Sequence, residues 1–339
     1  MIISTCLSSP CQLLARSLNI LKGKTRLGVI SDPHVNIQGS SGWLMGQFST
    51  TGLQMVVEEL NIKNVDFVLV AGDLLADGEW ENLLVAKDIL DGLRAPYFVI
   101  SGNHDYRPAD TSRMRKGFSY ISTTDFAKIF SGHGYGSSGN IFWSQELTSG
   151  LRVIGLDGCL REEKIGWGGN LPAEQLAYLE DQLQNSLQQV VVMVHHSLLH
   201  WGDDGRSRRG RWYSLENSAA VRRILERHHE KIAFVVSGHR HVGLHFQFRQ
   251  HIPYFLVPSI NSYPMRYTIF ELDQEAVQWT TPGLRVTPEF HGLAKNGLQQ
   301  ADWYREQDDL GRRRLLEFYE NSIQRNGRIS CQSGGDDPV

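Results

Sequence analysis

Five short polar segments, each at the end of an apolar run, constrain this chain more than any other feature. They are Asp32-Pro33-His34, Gly72-Asp73, Gly102-Asn103-His104-Asp105, His195-His196 and Gly238-His239-Arg240-His241. The runs before them are Leu27 to Ile30, Phe67 to Val70, Tyr97 to Ile100, Val190 to Val194 and Ile232 to Val236. Their density of Val, Ile and Leu marks strands buried on both faces. In open α/β sheets, ligands bind just beyond the carboxyl ends of the strands. Asp, Asn and His at five such ends therefore converge on one crevice, and that combination points to a metal site.

The residue types narrow the chemistry. In an extended segment residues i and i+2 face the same way, so Asp32 pairs with His34 and His239 with His241. Carboxylate mixed with imidazole suits Mn, Fe, Co or Zn rather than Ca or a thiolate-bound ion. Asp32, His34, Asp73, Asn103, His195, His239 and His241 together exceed the roughly four to six ligands that one such ion takes. Two ions sharing a carboxylate resolve the excess. Metals paired about 3.5–4 Å apart clamp both the attacking and the leaving oxygen of a displacement.

Strands and helices alternate along the chain. Helical patterns are expected at 51–61, 79–93, 172–187 and 215–228, between the runs already named, with further strands at 141–146 and 151–157. The stretch 106–140 breaks the rhythm, with one short helical candidate at 124–130, and reads as an excursion over the site. After Gly238, alternating runs at 244–248, 254–257, 266–272 and 276–280 predict antiparallel strands joined by turns. A terminal helix is expected over 301–323, with Leu315, Phe318, Tyr319 and Ile323 on one face and Gly311 as a weak point. That stripe suits packing on its own domain or pairing with a second chain. Ser333 to Val339 should be disordered.

Composition excludes more than it identifies. A net charge of −3 gives no electrostatic footprint for nucleic acid or a membrane surface. No apolar run reaches bilayer-spanning length. Cys6, Cys11, Cys159 and Cys331 form no CxxC pair, which fits a reduced, cytoplasmic setting better than a disulfide framework. Residues 1–24 read as an N-terminal extension rather than a secretory signal.

The ordered set Asp-x-His, Gly-Asp, Gly-Asn-His-Asp, His and Gly-His-x-His resembles the calcineurin-like metallophosphoesterase superfamily over roughly residues 25–260. The resemblance implies an α/β fold, a four-layer α/β/β/α sandwich of two mixed sheets flanked by helices. It places a catalytic domain at 25–285 and leaves 286–339 as a C-terminal helical extension and tail. It implies Asp32, His34 and His241 on one ion, Asn103, His195 and His239 on the other, and Asp73 bridging them. His104 would donate a proton to a phosphoryl oxygen or the leaving group, with Asp105 orienting its ring. A metal-bridging hydroxide would attack phosphorus in line. One departure is His195-His196-Ser197, where members often show His-His-Pro; the ligand is usually the first histidine of the pair, hence His195, with His196 either supporting its neighbour or a hydrogen-bonded loop residue.

Other polar residues carry weaker signals. Arg206, Arg208, Arg209 and Arg211 form one short basic loop that either reaches phosphate or lies solvated. Tyr106 and Arg107 follow the Gly-Asn-His-Asp loop and are candidates for the pocket. Trp43, Trp167, Trp201 and Trp212 fall in expected loops, and His133, His200, His228, His229, His245, His251 and His291 stand outside the motifs. Cyclic nucleotide and glycerophosphodiester hydrolases of the superfamily share this ligand set, so a small phosphodiester is the expected substrate, followed by phosphomonoesters. A nuclease fits the slight acidity poorly. A non-catalytic scaffold fits poorly with seven ligands and His104 all present.

Overall fold

The computed structural model describes residues 21, 23–160, 167–201 and 213–330. Most of the expected N-terminal extension, the arginines at 206–211, Trp212 and the tail at 333–339 lie outside the described residues. Apolar runs become strands with little change in bounds. β1 (Thr25–Ile30) leads to helix α1 (Ser49–Lys63), then β2 (Phe67–Ala71), α2 (Trp80–Leu90) and β3 (Tyr97–Ile100). The 106–140 excursion holds one α-helix, α3 (Thr123–Ile129), entered through a capping box between Ser122 and Asp125. Next come β4 (Trp143–Thr148), β5 (Leu151–Leu156), α4 (Ala173–Asn185), β6 (Gln189–Val194), α5 (Ser218–Arg227) and β7 (Ile232–Ser237).

The remainder completes both sheets. It runs β8 (His245–Arg249), β9 (Ile252–Leu256), β10 (Thr268–Leu272), β11 (Ala276–Thr280), helices α6 (Pro288–Gln300), α7 (Asp302–Arg305) and α8 (Asp309–Glu320), and β12 (Asn326–Ser330). One sheet has the order β12-β11-β10-β1-β2-β3 and the other β4-β5-β6-β7-β9-β8. β1, β2 and β3 are mutually parallel, as are β5, β6, β7 and β9 in the second sheet. Two mixed sheets flanked by helices result, as the resemblance implied. Phe234 of β7 stacks on Phe270 of β10 at 4.5 Å between ring centroids, which ties the two sheets face to face. On the outer side, Gly28 lets α1 approach β1: a Cβ there would lie 2.7 Å from Leu60 Cδ2.

Three expectations change. The strands after Gly238 are not all antiparallel, because β9 runs parallel to β7. β9 is buried at every residue and so takes an interior position, while half-exposed β8 takes the edge. The helix expected over 301–323 is two helices, since Asp308 caps α8 by accepting from Gly311 N at 2.6 Å. That bond places Gly311 in a first turn, where its flexibility costs least. The segment after 285 is also more than a helical extension: β12 pairs antiparallel with β11 and closes the edge of the first sheet.

The apolar stripe of α8 is spent within the chain. Leu315 and Tyr319 are buried in the common core, whereas Ile323 is 83% exposed. Replacing Leu315 with Ala should therefore cost about 2–5 kcal/mol in a denaturant titration. Ile323→Ala should stay within about 0.5 kcal/mol of the parent. Equal, small effects at both positions would place α8 outside the cooperative core.

Candidate metal centre

Strand ends from both sheets meet at one place. Asp32 N donates to Gly72 O at 3.1 Å and His34 N to Asp73 O at 3.0 Å, which stitches the loops after β1 and β2. Gly238 N donates to His195 O at 3.0 Å and does the same for β6 and β7. Five of the residues expected as ligands hold left-handed backbone: Asp32 (φ 51°), His34 (44°), Asp73 (49°), His239 (72°) and His241 (51°). Such positions cost about 1–3 kcal/mol each and persist where the surroundings over-determine them, as at functional sites. Gly72 (φ 92°) needs the same region, and its missing Cβ leaves room for His195, whose Nδ1 would lie 2.5 Å away. At Gly102 a Cβ would sit 2.2 Å from Asp73 Oδ1.

The side chains fall into two groups that share Asp73. Ligand-type atoms of Asp32, His34, Asp73 and His241 lie within 4.8 Å of one another, as do those of Asp73, His195 and His239. His34 Nε2 and His241 Nε2 face each other at 3.0 Å. Asp32 Oδ1 lies 3.1 Å from His241 Nε2, and Asp73 Oδ2 lies 3.6 Å from His34 Nε2 and 3.2 Å from His195 Nε2. The far side of two of the rings is anchored. His195 Nδ1–H donates to Ala71 O at 2.8 Å, which turns Nε2 inward, and His241 Nδ1 is bonded with Ser262 Oγ at 3.0 Å. Metal-binding histidines are oriented by such outer partners. Asn103 sits in the loop after β3, and both polar atoms of its side chain are inaccessible to water with no hydrogen-bond partner among the described residues.

Charge makes the case for a cation. Burial works to neutralise Asp32, but His241 and His195 outweigh it and hold its carboxyl below the ordinary range. Burial opposes the Asp73 carboxylate too, yet His195 and His104 hold it ionised far below the usual value. His34 is pushed down to about 3, by burial first and then by His104 and His241, so at neutral pH its nitrogen offers a lone pair. Burial disfavours a charged His195, but Asp73 and Asp32 overcome this and raise it to about 10. Two buried carboxylates, facing imidazole nitrogens and an unsatisfied Asn103 amide form a donor set that fits divalent metals.

Comparison with known proteins agrees with this geometry. The model of the calcineurin-like phosphoesterase family matches residues 25–243. The chain belongs to that family. Among similar curated proteins, a 3′,5′-cyclic adenosine monophosphate phosphodiesterase of Vibrio vulnificus is 26% identical, over 62% of this chain and 68% of its own. A glycerophosphodiester phosphodiesterase of Enterobacter lignolyticus is 25% identical, over 66% of this chain and 73% of its own. A probable cyclic nucleotide phosphodiesterase of Vesicomyosocius okutanii is 24% identical, over 64% and 79%. Among solved structures, a dimetal phosphatase from Danio rerio superposes with a TM-score of 0.61 at 14% identity, covering 76% of this chain and 96% of that one. A calcineurin-like phosphoesterase with this buried Asp/His group suits two metal ions.

Within this phosphoesterase, one expected pairing is replaced by another. His104 lies against the first group, its ring 4.8 Å from that of His34, and its backbone N donates to Asp73 Oδ1 at 2.8 Å. The ring is not oriented by Asp105. Its Nδ1–H donates to Ala76 O at 2.6 Å, with Asp77 Oδ1 at 3.3 Å and Arg113 also bonded to that carboxylate. Asp105 instead accepts from Leu75 N at 2.8 Å and Gly102 N at 2.7 Å, so it latches the loops after β2 and β3 together. The reason is direction: Asp105 is fully buried beneath the loop, whereas Asp77 stands in the loop after β2 that faces His104. The clue in the sequence was the second carboxylate four residues after Asp73.

Other candidates separate cleanly. His196 turns its Nε2–H to Trp167 O at 2.9 Å and lies against His239, 4.3 Å between ring centroids. Tyr106 donates to Asp157 at 2.9 Å in the core, and Arg107 is exposed. Trp201 donates to Ser197 Oγ at 2.6 Å. His133 stacks on Tyr97, His228 pairs with Glu180 and His245 stacks on Phe318, all away from the centre. Trp43 is the exception, 5.2 Å from the His241 ring.

Two outcomes follow. Asp73→Ala removes the carboxylate common to both groups, so metal analysis should find fewer than two ions per chain; two tightly held ions would rule out sharing. At pH 7 a proton sits on His195 where an ion would bind, so binding must displace it. Metal affinity should then rise about tenfold per pH unit for each proton displaced, below pH 10. Calorimetry in buffers of unlike ionisation enthalpy reads the released proton; a heat independent of buffer would contradict it.

Proposed function

We propose that this phosphoesterase is a two-metal hydrolase of small phosphodiesters, with Asp32, His34 and His241 holding one ion, Asn103, His195 and His239 the other, and Asp73 shared. The observation that carries the reading is the pair of ligand groups joined at Asp73 with His104 beside them. Bound there, two ions would neutralise charge on the phosphoryl oxygens and supply a nucleophile at neutral pH; Mn, Fe, Co and Zn all suit the donors.

The chain's own residues do the rest. His104 is fixed through Nδ1–H to Ala76 O, which leaves Nε2 for the substrate. Burial opposes its charged form, but Asp73 and Asp77 push its pKa up to about 9, so at pH 7 the ring carries a proton to give. That proton goes to the leaving alkoxide or to a phosphoryl oxygen that gains charge. Asp77 steadies the imidazolium, and Asp105 keeps the loop bearing Asn103 and His104 in register with Asp73. The diester preference is supported by the names of the relatives, phosphodiesterases of cyclic nucleotides and of glycerophosphodiesters. The balanced charge supports small substrates over nucleic acid. Among the described residues no helix is long and apolar enough to cross a membrane, and the sparse cysteines support a cytoplasmic setting.

The decisive assay titrates metal-free protein with Mn²⁺ and compares bis-p-nitrophenyl phosphate with p-nitrophenyl phosphate. Metal-dependent turnover with a higher kcat/KM on the diester is expected. Preference for the monoester would move the reading to a phosphatase. His104→Gln should keep the metals and lower kcat roughly 10²–10⁴-fold; unchanged kcat would remove His104 from the chemistry.

A further inference from the structure

The first part of the excursion, residues 106–122, follows the loop that bears Asn103 and His104, turns at Thr111–Arg113 and returns along the loop after β2. Arg107 N donates to Ile121 O at 3.0 Å, Ile121 N to Gly78 O at 3.0 Å and Trp80 N to Ser119 O at 2.9 Å. Gly78 (φ 72°) permits this approach, since a Cβ there would lie 2.3 Å from the carbonyl carbon of Tyr106. Two arginines at and after the turn reach back to the loops of the centre. Arg115 Nη1 donates to Asn36 Oδ1 at 2.8 Å, two residues beyond His34, and its Nε lies 3.8 Å from Glu79 Oε1. Glu79 is fully buried, and its other oxygen accepts from Asp77 N at 2.8 Å and Asn82 Nδ2 at 2.9 Å, which fixes the backbone of Asp77. Arg113 bonds the side chain of that same residue. Its Nη2 donates to Asp77 Oδ1, the oxygen that faces His104 Nδ1 at 3.3 Å.

We propose that Arg113 is a positioning residue for proton transfer: it holds Asp77 against His104, so the excursion sets the aim of the proton donor. The inference rests on the hydrolase reading above and adds a residue to it. The Asp77 side chain is 17% exposed, so without a partner the carboxylate can turn towards water, and a bond from a charged donor is of the strong kind. Asp110 caps the turn by accepting from Ser112 N at 3.0 Å, which fixes where the Arg113 side chain begins. The guanidinium lies on the Nδ1 side of the His104 ring, 3.3 Å from that atom, whereas the ring gives its proton from Nε2. Arg113 therefore acts through Asp77 and not on the phosphoryl group. In turnover a water oxygen bonds to phosphorus, the bond to the ester oxygen breaks, and that oxygen takes the Nε2 proton. Nδ1–H stays on Ala76 O, and the neutral ring regains its proton from solvent. A tilted ring keeps its proton but loses the line to the ester oxygen.

The test is a double-mutant cycle with His104, run on the metal-loaded full-length chain. Arg113→Met should lower kcat on bis-p-nitrophenyl phosphate roughly 10- to 150-fold, the worth of a hydrogen bond to a charged group, and leave KM little changed. Metal analysis should find the same ion content as in the parent. Arg113→Lys, which keeps the charge, should restore part of the rate. The loss should be larger on diphenyl phosphate, whose more basic leaving oxygen depends more on the proton. In a His104→Gln background Arg113→Met should change kcat by no more than about twofold, because no donor is left to position. An equal loss in both backgrounds overturns the proposal by making Arg113 a support of the fold. A raised KM that persists without His104 overturns it by making Arg113 a substrate contact, and so does a kcat that Arg113→Met leaves unchanged. Those results keep the hydrolase reading intact; that reading fails separately if the parent cleaves neither nitrophenyl ester, and the positioning role falls with it.

Discussion

The whole centre depends on keeping two carboxylates ionised where water does not reach. Asp32 and Asp73 are buried to within 1% of full enclosure. Moving an ion out of water costs several kcal/mol even after relaxation, and a lone carboxylate would take up a proton instead. Here the compensation comes from His195 and His241 at 3.1–3.2 Å and from backbone N–H groups of His104 and His239. His195 offsets that charge only while it is protonated. Dications would supply more charge in less space.

That demand explains the backbone around it. Side chains from two separate sheets must point at the same few ångströms, and a strand leaving a sheet in extended conformation would carry them past each other. The left-handed residues turn each loop sharply at the strand end, and Gly72 and Gly102 keep the crossing loops free of Cβ atoms where His195 and Asp73 pass. Asp105 then pins the loops from below by accepting two backbone N–H groups. Strain of this kind persists where the surroundings over-determine it, and the strands that lead into these loops are buried along nearly their whole length.

The same logic separates what was legible in the sequence from what was not. Buried strands are read from side chains, so Tyr97–Ile100 and Ala276–Thr280 emerged with their observed bounds. β12 has the sequence Asn-Gly-Arg-Ile-Ser and offers almost no apolar pattern. It is held by backbone pairing with β11 and by Gly327, whose missing Cβ admits the Trp279 ring, a contact that no local periodicity reveals. α6 was hidden by Gly292 and Gly297, which dilute its helical stripe, although Thr287 and Pro288 mark its start. Metal-type residues were visible because each is polar where the pattern demands an apolar core. Asp77 and Trp43 were harder, because a carboxylate and an indole in loops look like ordinary solvated and packing residues until the fold sets them beside His104 and His241.

The two kinds of legibility match two kinds of work. Holding a phosphoryl group and paired metals needs particular atoms within a few tenths of an ångström, which forces particular residues at particular strand ends. Holding an organic substituent needs only a surface of suitable shape and polarity, which many sequences can build. The wall beside the centre joins distant parts of the chain: Trp43, in the loop after β1, and Trp303, in α7, are 260 positions apart with 6.0 Å between their ring centroids. Because Tyr319 lies between Trp303 and the core, the order of the C-terminal segment sets the position of the indole.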